Sequence, residues 1–570
     1  MKIKISILGL VALCAAVFMP VTPAHAQTDS ALVQELVKKG VLTDQEAEDI
    51  QADEAKDYAT TGASKIILSD AVKNIQFYGD LRLRFEMRDG TVPGGVYQNG
   101  SATSIANKGD SETMNRWRYR LRVGVKGEMY DNFFWGIRAA TNPTYDRSGN
   151  VTFGHGDAAG PFGKGQSLLA LDQVYLGWHA TSDITLTGGQ FANPLYTTNL
   201  VWDDNLNPAG AAEQYDHTFG NTEAFATAGQ YIYQAAAGNG ITNGIGGVNY
   251  SNTFMYAEQL GFKYKFNDNT FFKMAGTFYT YSGTVGTSPT TSVASLYGTS
   301  PLVLSAPNAS PSYFNAPFVG AEPAPYTNVT GINDLAVLEV PMEFDFKVGP
   351  GVHEVSSGDP KDMTETTTGW SLPVRIFGDF AYNTEADERT DEARTAIETA
   401  ESQNVEFSKS TGNSGITLTN SNTGNGTTGS TGMSPKDVAA NQSMFNSTTI
   451  QGVLNSGKGF LDQSAYQVGV EAGQLKKKGD WDEKLFWQST GYYAVDPNLI
   501  DADIFNAATN LQGVVVAVAH NWTDGLTSTL RYAYAMPVNG QLATPSVNQD
   551  LQIGDIKHYN LFQADLMWKF

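Results

Sequence analysis

Residues 74–88 read NIQFYGDLRLRFEMR, and the two faces of this stretch differ in kind. Ile75, Phe77, Leu81, Leu83, Phe85 and Met87 share one parity, while Gln76, Asp80, Arg82, Arg84, Glu86 and Arg88 share the other. A period of two marks a strand whose side chains alternate between faces. The uncharged face is as long as the roughly 9–11 residues that a tilted strand needs to cross a bilayer.

The pattern recurs at RWRYRLRVGVKGEM, where Trp117, Tyr119, Leu121, Val123 and Val125 oppose Arg116, Arg118, Arg120, Arg122 and Lys126. A turn at Tyr130-Asp131-Asn132 leads into FFWGIRAA, which carries Arg138. Further strands are expected at LDQVYLGWHA, DITLTGGQF, LGFKYKF, TFFKMAGTFYTY, LAVLEVPMEFDFKV, LPVRIFGDFAY, AYQVGVEAG, KLFWQSTGYYAV, QGVVVAVAHNW, LTSTLRYAYAM and the terminal HYNLFQADLMWKF. Tight turns such as Asn267-Asp268-Asn269 and Thr523-Asp524-Gly525 alternate with long loops, above all 283–333 and 384–461, rich in Gly, Ser, Thr and Asn. Short turns at one end and long loops at the other are the plan of bacterial outer-membrane barrels.

Counting up and down from both ends gives about fifteen strands, with a parity break between residues 192 and 253. One hidden strand there brings the total to about sixteen. The fold expected is all-β: a transmembrane antiparallel β-barrel over residues 74–570. A sandwich would turn its apolar face inward and could use shorter strands. The tryptophans Trp135, Trp178, Trp522 and Trp568 gather near the short-turn ends, as an interfacial aromatic girdle requires.

Composition agrees. Residues 1–26 pair Lys2 and Lys4 with an apolar run and an Ala24-His25-Ala26 cleavage site, the form of a secretory signal. The one cysteine, Cys14, lies inside it, so the mature chain is expected to have neither disulfides nor thiolate chemistry. Removing the two signal lysines takes the charge from -22 to -24, which argues against nucleic acid as a partner. After the signal, the longest apolar run is Val514 to Ala519, far short of a spanning helix. Residues 27–73 read as a helical, periplasmic extension and linker. Leu32, Val33, Leu36 and Val37 form a stripe that Gly40 ends, and Thr43 with Glu46 makes a capping box. It is either a structural leader into the first strand or a contact with the cell wall. Residues 385–403 read as an acidic, solvated helix opening the largest loop.

The sharpest chemical feature is a ladder, with Arg116, Arg118, Arg120 and Arg122 facing Arg82, Arg84 and Arg88 on the hairpin partner. Packed guanidinium groups require water, anions or carboxylates beside them, and Asp80, Glu86 and Glu128 share the same face. Two readings stand side by side: an electropositive lane for anionic solutes, or an internally paired wall. The second feature is GGQFANPLYTTNLVWDDNLNPAGAA, residues 188–212, whose Asn193, Pro194, Trp202, Asp203, Asp204 and Asn205 suit a loop folded into the lumen as a constriction. Its two aspartates would then face the ladder.

The NP, LVWDDNL and PAG succession, with LVKKGVLTDQEAEDI, FYGDLRLRFE, LDQVYLGW, KKGDW and the terminal Phe570, resembles the putative porin family of bacterial outer-membrane proteins. The resemblance spans most of the mature chain and implies a passive, barrel-forming channel. It also implies that Phe562, Leu566, Trp568 and Phe570 form the terminal signal read by the barrel assembly machinery, with lipid and lipopolysaccharide around the barrel and a homotrimer by analogy with porins.

Other classes fit less well. His155, His179, His217, His353, His520 and His558 form no HExxH, haem or GxSxG motif, so no catalytic residues, metal or cofactor are expected. A plugged siderophore transporter needs about 22 strands. The function expected is a diffusion porin for small hydrophilic solutes, with an anion preference if the arginine lane is open. A plugged barrel acting as an adhesin or structural protein is the alternative.

Overall fold

In a computed structural model of the chain, the described residues are 39, 72–91, 95–99, 102–106, 111–143, 148–154, 167–234, 253–282, 335–350, 353–356, 365–368, 370–391, 394, 457–542, 544 and 556–570. The segment read as a signal, nearly all of the segment read as a helical extension and most of the two longest loops lie outside them; residues 72 and 73, assigned above to the extension, already belong to the first strand.

Sixteen antiparallel strands close into a barrel. They are β1 (Val72–Thr91), β2 (Ser111–Met129), β3 (Phe133–Pro143), β4 (Ser167–His179), β5 (Ile184–Gln190), β6 (Ala209–Phe219), β7 (Thr222–Gln234) and β8 (Thr253–Asn267). The second half is β9 (Thr270–Ser282), β10 (Val337–Glu339 and Met342–Val348), β11 (Leu372–Asn383), β12 (Ser464–Gly473), β13 (Trp481–Thr490), β14 (Leu511–Asn521), β15 (Leu526–Pro537) and β16 (His558–Lys569). Each strand pairs with its sequence neighbours, and β16 pairs back onto β1 from Asp80↔Lys569 to Thr91↔His558. The terminal Phe570 continues this seam, exchanging backbone bonds of 3.0 and 3.1 Å with Gly79.

The interval between residues 192 and 253 holds a whole hairpin, which added to the fourteen segments quoted from the sequence makes sixteen strands with parity unbroken. Two strands, β6 and β7, occupy the interval expected to hide one. Their signal is weak because the outward face of β7 is built from Ala224, Ala226 and Ala228, while the lumen face carries Phe225 and Tyr231. β13 also stops earlier than its sequence suggests, at Thr490; Tyr492 and Tyr493 belong to a loop that turns inward.

Burial is inverted relative to a water-soluble protein. Arg84 is 1% exposed, Arg88 0% and Arg118 2%, whereas Leu83 is 40%, Trp117 61% and Leu171 61% exposed. The apolar outer surface is the one that lipid covers, and Trp178, Trp481, Trp522 and Trp568 stand exposed toward its short-turn end. Among the described residues the strand pairings run all the way round the wall, the condition for strands in hydrocarbon.

The start of the loop after β11 differs from the solvated helix expected. Residues 386–391 are helical, but Ala386, Arg389 and Thr390 are buried. Asp387 accepts a 2.6 Å bond from Gln463, and Thr390 donates to the Gly457 carbonyl.

Gly79 lets the seam close. A Cβ there would lie 2.5 Å from the Phe570 ring and 2.4 Å from the Arg122 carbonyl oxygen. Gly79→Val is therefore expected to destabilise the barrel by about 1–3 kcal/mol, the usual cost of overpacking. The check is the temperature at which the folded band disappears from unheated SDS gels; a band as heat-resistant as wild type would show that the seam tolerates the side chain.

Candidate functional site: the barrel lumen

Register sets the ladder. In the β1–β2 pair, Asp80 lies opposite Arg122, Arg82 opposite Arg120, Arg84 opposite Arg118 and Glu86 opposite Arg116, all toward the lumen. Arg88 lies opposite Met114. Directly opposed guanidinium groups repel, so the wall must supply anions. Asp80 accepts from Arg120 at 3.0 Å and Arg122 at 2.6 Å. Glu86 accepts from Arg88 at 3.0 Å, Arg116 at 2.6 Å and Gln563 at 2.9 Å. Arg84 is bidentate on Asp565 of β16, at 2.6 and 2.8 Å. Arg138 on β3 is likewise bidentate on Asp172 of β4. Glu128 takes no part; it accepts from Asn74 near the short-turn end.

Two loops enter the barrel and cover this wall. The first, between β5 and β6, leaves and rejoins it at the paired glycines Gly189 and Gly210, with φ of 122° and 156°. A Cβ would meet the Val174 oxygen at 2.3 Å at the first and the Gln230 oxygen at 2.1 Å at the second. Only glycine fits such backbone without strain. Leu195, Leu200, Val201 and Trp202 then pack in a buried cluster with Tyr231, Met255 and Tyr279 of the wall. Tyr196 exchanges backbone bonds of 2.9 Å with the Gln259 amide, and Thr197 and Thr198 donate to Glu339 and Asp379.

The second loop, between β13 and β14, was not singled out from the sequence. Its Val495, Ile500 and Ala502 join the same cluster, while Phe505 packs with Tyr559 and Leu561. The two loops bond to each other through Asp203 N to Leu499 O at 2.6 Å and Asp501 N to Asn199 O at 3.2 Å. The signal for it was present, since residues 491–510 mix Tyr492, Ile500, Ile504 and Phe505 with Asp496, Asp501 and Asp503 as the first loop mixes Leu200 and Trp202 with Asp203.

Of the expected constriction residues, Trp202 is buried and donates to the Leu206 carbonyl, Asn193 accepts from Leu195 N, Pro194 is half-buried, and Asn205 accepts a 2.6 Å bond from Arg120. Asp203 and Asp204 do not meet the ladder as expected. Asp203 is occupied by Asn205, to which its Oδ1 bonds twice, and by Ala502 N, while Asp204 is exposed. The carboxylate that reaches the ladder is Asp503 of the second loop, 2.9 Å from Arg84 and 3.6 Å from Arg82. The same loop binds Arg88 through Asn506 and the carbonyls of Ala502 and Asp503. The ladder is thus largely an internally paired wall. Arg122, the member nearest the short-turn end, lines a cavity with Arg120.

Burial acts unequally on the loop aspartates. It opposes the charge on Asp503, but Arg84 and Arg82 outweigh it and hold this carboxyl well below the usual range. Asp501, buried and then repelled by Asp203 and Asp503, is pushed well above that range. Asp203 is pushed up to about 6 by burial and then by Asp503.

Residues 62–307 match the putative porin family. The matched stretch includes the ladder and the first inward loop and ends before the second. Among solved structures, the chain is similar to Salmonella typhi OmpF in complex with daunomycin, with 10% identity over 88% of this chain and 99% of that one and a TM-score of 0.37. It is also similar to Pseudomonas putida OprB at high pH, with 8% identity over 88% and 94% and a TM-score of 0.39. For the Acinetobacter baumannii outer membrane channel DcaP the values are 10%, 87%, 97% and 0.33. The barrel rests on its strand pairings and not on these distant likenesses. No curated protein matches the chain.

Two outcomes follow. Arg84→Met leaves Asp503, Asp565 and Glu86 short of a cation, and losing one partner of a buried pair costs about 3–5 kcal/mol. Its urea midpoint should fall sharply; Arg84→Lys should recover only part, because an ammonium cannot reproduce the bidentate fork. An unchanged midpoint for Arg84→Met would contradict the paired wall. For Asp501 and Asp203 the sign follows from raised carboxyl values: their contribution to the loop junction is fully present below about pH 4 and is lost as pH rises through the raised values, about 6 for Asp203. Asp501→Asn removes the need for the proton. Its Tm should match wild type near pH 4 and exceed it by roughly 2–4 °C at pH 8, and an equal offset at both pH values would exclude this linkage.

Proposed function

We propose that the protein is a passive diffusion channel of a bacterial outer membrane, with its short turns and barrel termini toward the periplasm and its long loops outside the cell. The observation that carries this reading is the inverted wall: a closed sheet, apolar outside, with buried arginines and carboxylates inside. The signal-like N-terminus and the family match over residues 62–307 support the membrane. Insertion by the barrel assembly machinery, a lipopolysaccharide surround and a homotrimer belong to the same reading, as does a periplasmic place for residues 27–73.

The two inward loops act as the constriction, and small hydrophilic solutes pass beside them. A modest anion preference follows from charge. On this side of the lumen Arg120 and Arg122 share the one carboxylate of Asp80, and that local excess of positive charge favours anions. Arg122 carries this preference best, because it is less deeply buried than its neighbours and lines a cavity.

The test is single-channel conductance and zero-current potential of the purified protein in a planar lipid bilayer across a KCl gradient. Steady steps with an anion-selective potential are expected, and Arg122→Glu should move that potential toward cations. Folded, inserted protein without conductance would remove the channel reading. A potential unmoved by Arg122→Glu would place the solute path elsewhere in the lumen.

A further inference from the structure

Beside the first inward loop lies a cavity of about 180 Å³ lined by Arg120, Arg122, Asn142, Asp172, Gln190 and Asn205. Its charges do not balance. Arg120 and Arg122 share the single carboxylate of Asp80. Arg138 and Asp172 neutralise each other, and Asn207 also donates to Asp172. One guanidinium charge therefore faces the cavity without a carboxylate of its own.

Its hydrogen bonds are also incomplete on the same side. Arg122 uses only Nε, toward Asp80, and its two terminal nitrogens make no bond among the described residues. Neither do the side-chain amides of Asn142 and Gln190, both half-buried. Asn205, by contrast, is fully committed to Arg120 and Asp203. The open groups are thus the two-nitrogen edge of a guanidinium, which matches a carboxylate, and two amides, each with donors and an acceptor, which match hydroxyls.

We propose that this cavity is a binding site for a small monocarboxylate bearing hydroxyl groups, its carboxylate on the terminal nitrogens of Arg122 and its hydroxyls on Gln190 and Asn142. A second anionic group would sit against Asp172, which selects a monoanion. The proposal rests on the channel reading, in which the ligand is a solute in transit, and a channel site must hold its solute weakly enough to release it.

Calorimetric titration of the detergent-solubilised protein with sodium D-glycerate tests the site without requiring a conducting pore. Saturable binding in the millimolar range is expected, with propionate, which lacks the hydroxyls, and glycerol, which lacks the charge, each at least tenfold weaker. Arg122→Gln should weaken glycerate at least tenfold. Gln190→Ala, which breaks no ion pair, should weaken glycerate several-fold and leave propionate unchanged, and it carries the test if Arg122→Gln does not fold. Absence of glycerate binding, or equal binding by the Arg122 variant, overturns the site; equal affinity for glycerate and propionate overturns its hydroxyl half. Conductance in bilayers without glycerate binding removes the site and keeps the channel. Glycerate binding by a protein that never conducts keeps the site and removes the channel.

Discussion

A strand in hydrocarbon has no water to satisfy its peptide groups, so everything in this molecule depends on the last strand finding the first. The pairing of β16 with β1 turns fifteen hairpin contacts into a closed wall. Without it, two rows of peptide groups would face lipid, and the charges of the ladder would lose their enclosure. The glycine at position 79 and the aromatic ring at position 570 fit at this seam because one leaves the space that the other fills.

Closure creates an interior, and the interior is where the chain has placed its strongest charges. Those charges are held in a web that joins β1, β2 and β16 to the inward loops. The loops contribute both kinds of contact: apolar side chains against the far wall, and carboxylates or carbonyls against the arginines. A loop fixed at both faces is a stationary partition of the lumen, which suits a channel that filters by shape and charge.

Much of this could be read from the chain because each membrane strand carries its own periodicity. Residues 74–88 and 116–129 reveal their two faces with no knowledge of their partners. The hairpin of β6 and β7 was only half legible, since alanines replace large apolar residues on its outer face and aromatics lie inside. The first inward loop announced itself through Leu200, Val201 and Trp202, which are out of place in a solvated connection. What the sequence could not disclose was which carboxylate meets which arginine. Asp203 and Asp503 look alike in a string of letters, and they differ only because three-dimensional neighbours had already engaged one of them.

The bidentate bond between Arg84 and Asp565 joins residues 481 positions apart. A chain cut short before β16 would hold Arg84 without that carboxylate and Glu86 without Gln563. A barrel with β16 is thus electrically distinguishable from one without it at the place where the wall shuts. The seam is therefore matched by charge as well as by backbone pairing, since β16 supplies the carboxylate and the amide that the ladder side of β1 lacks.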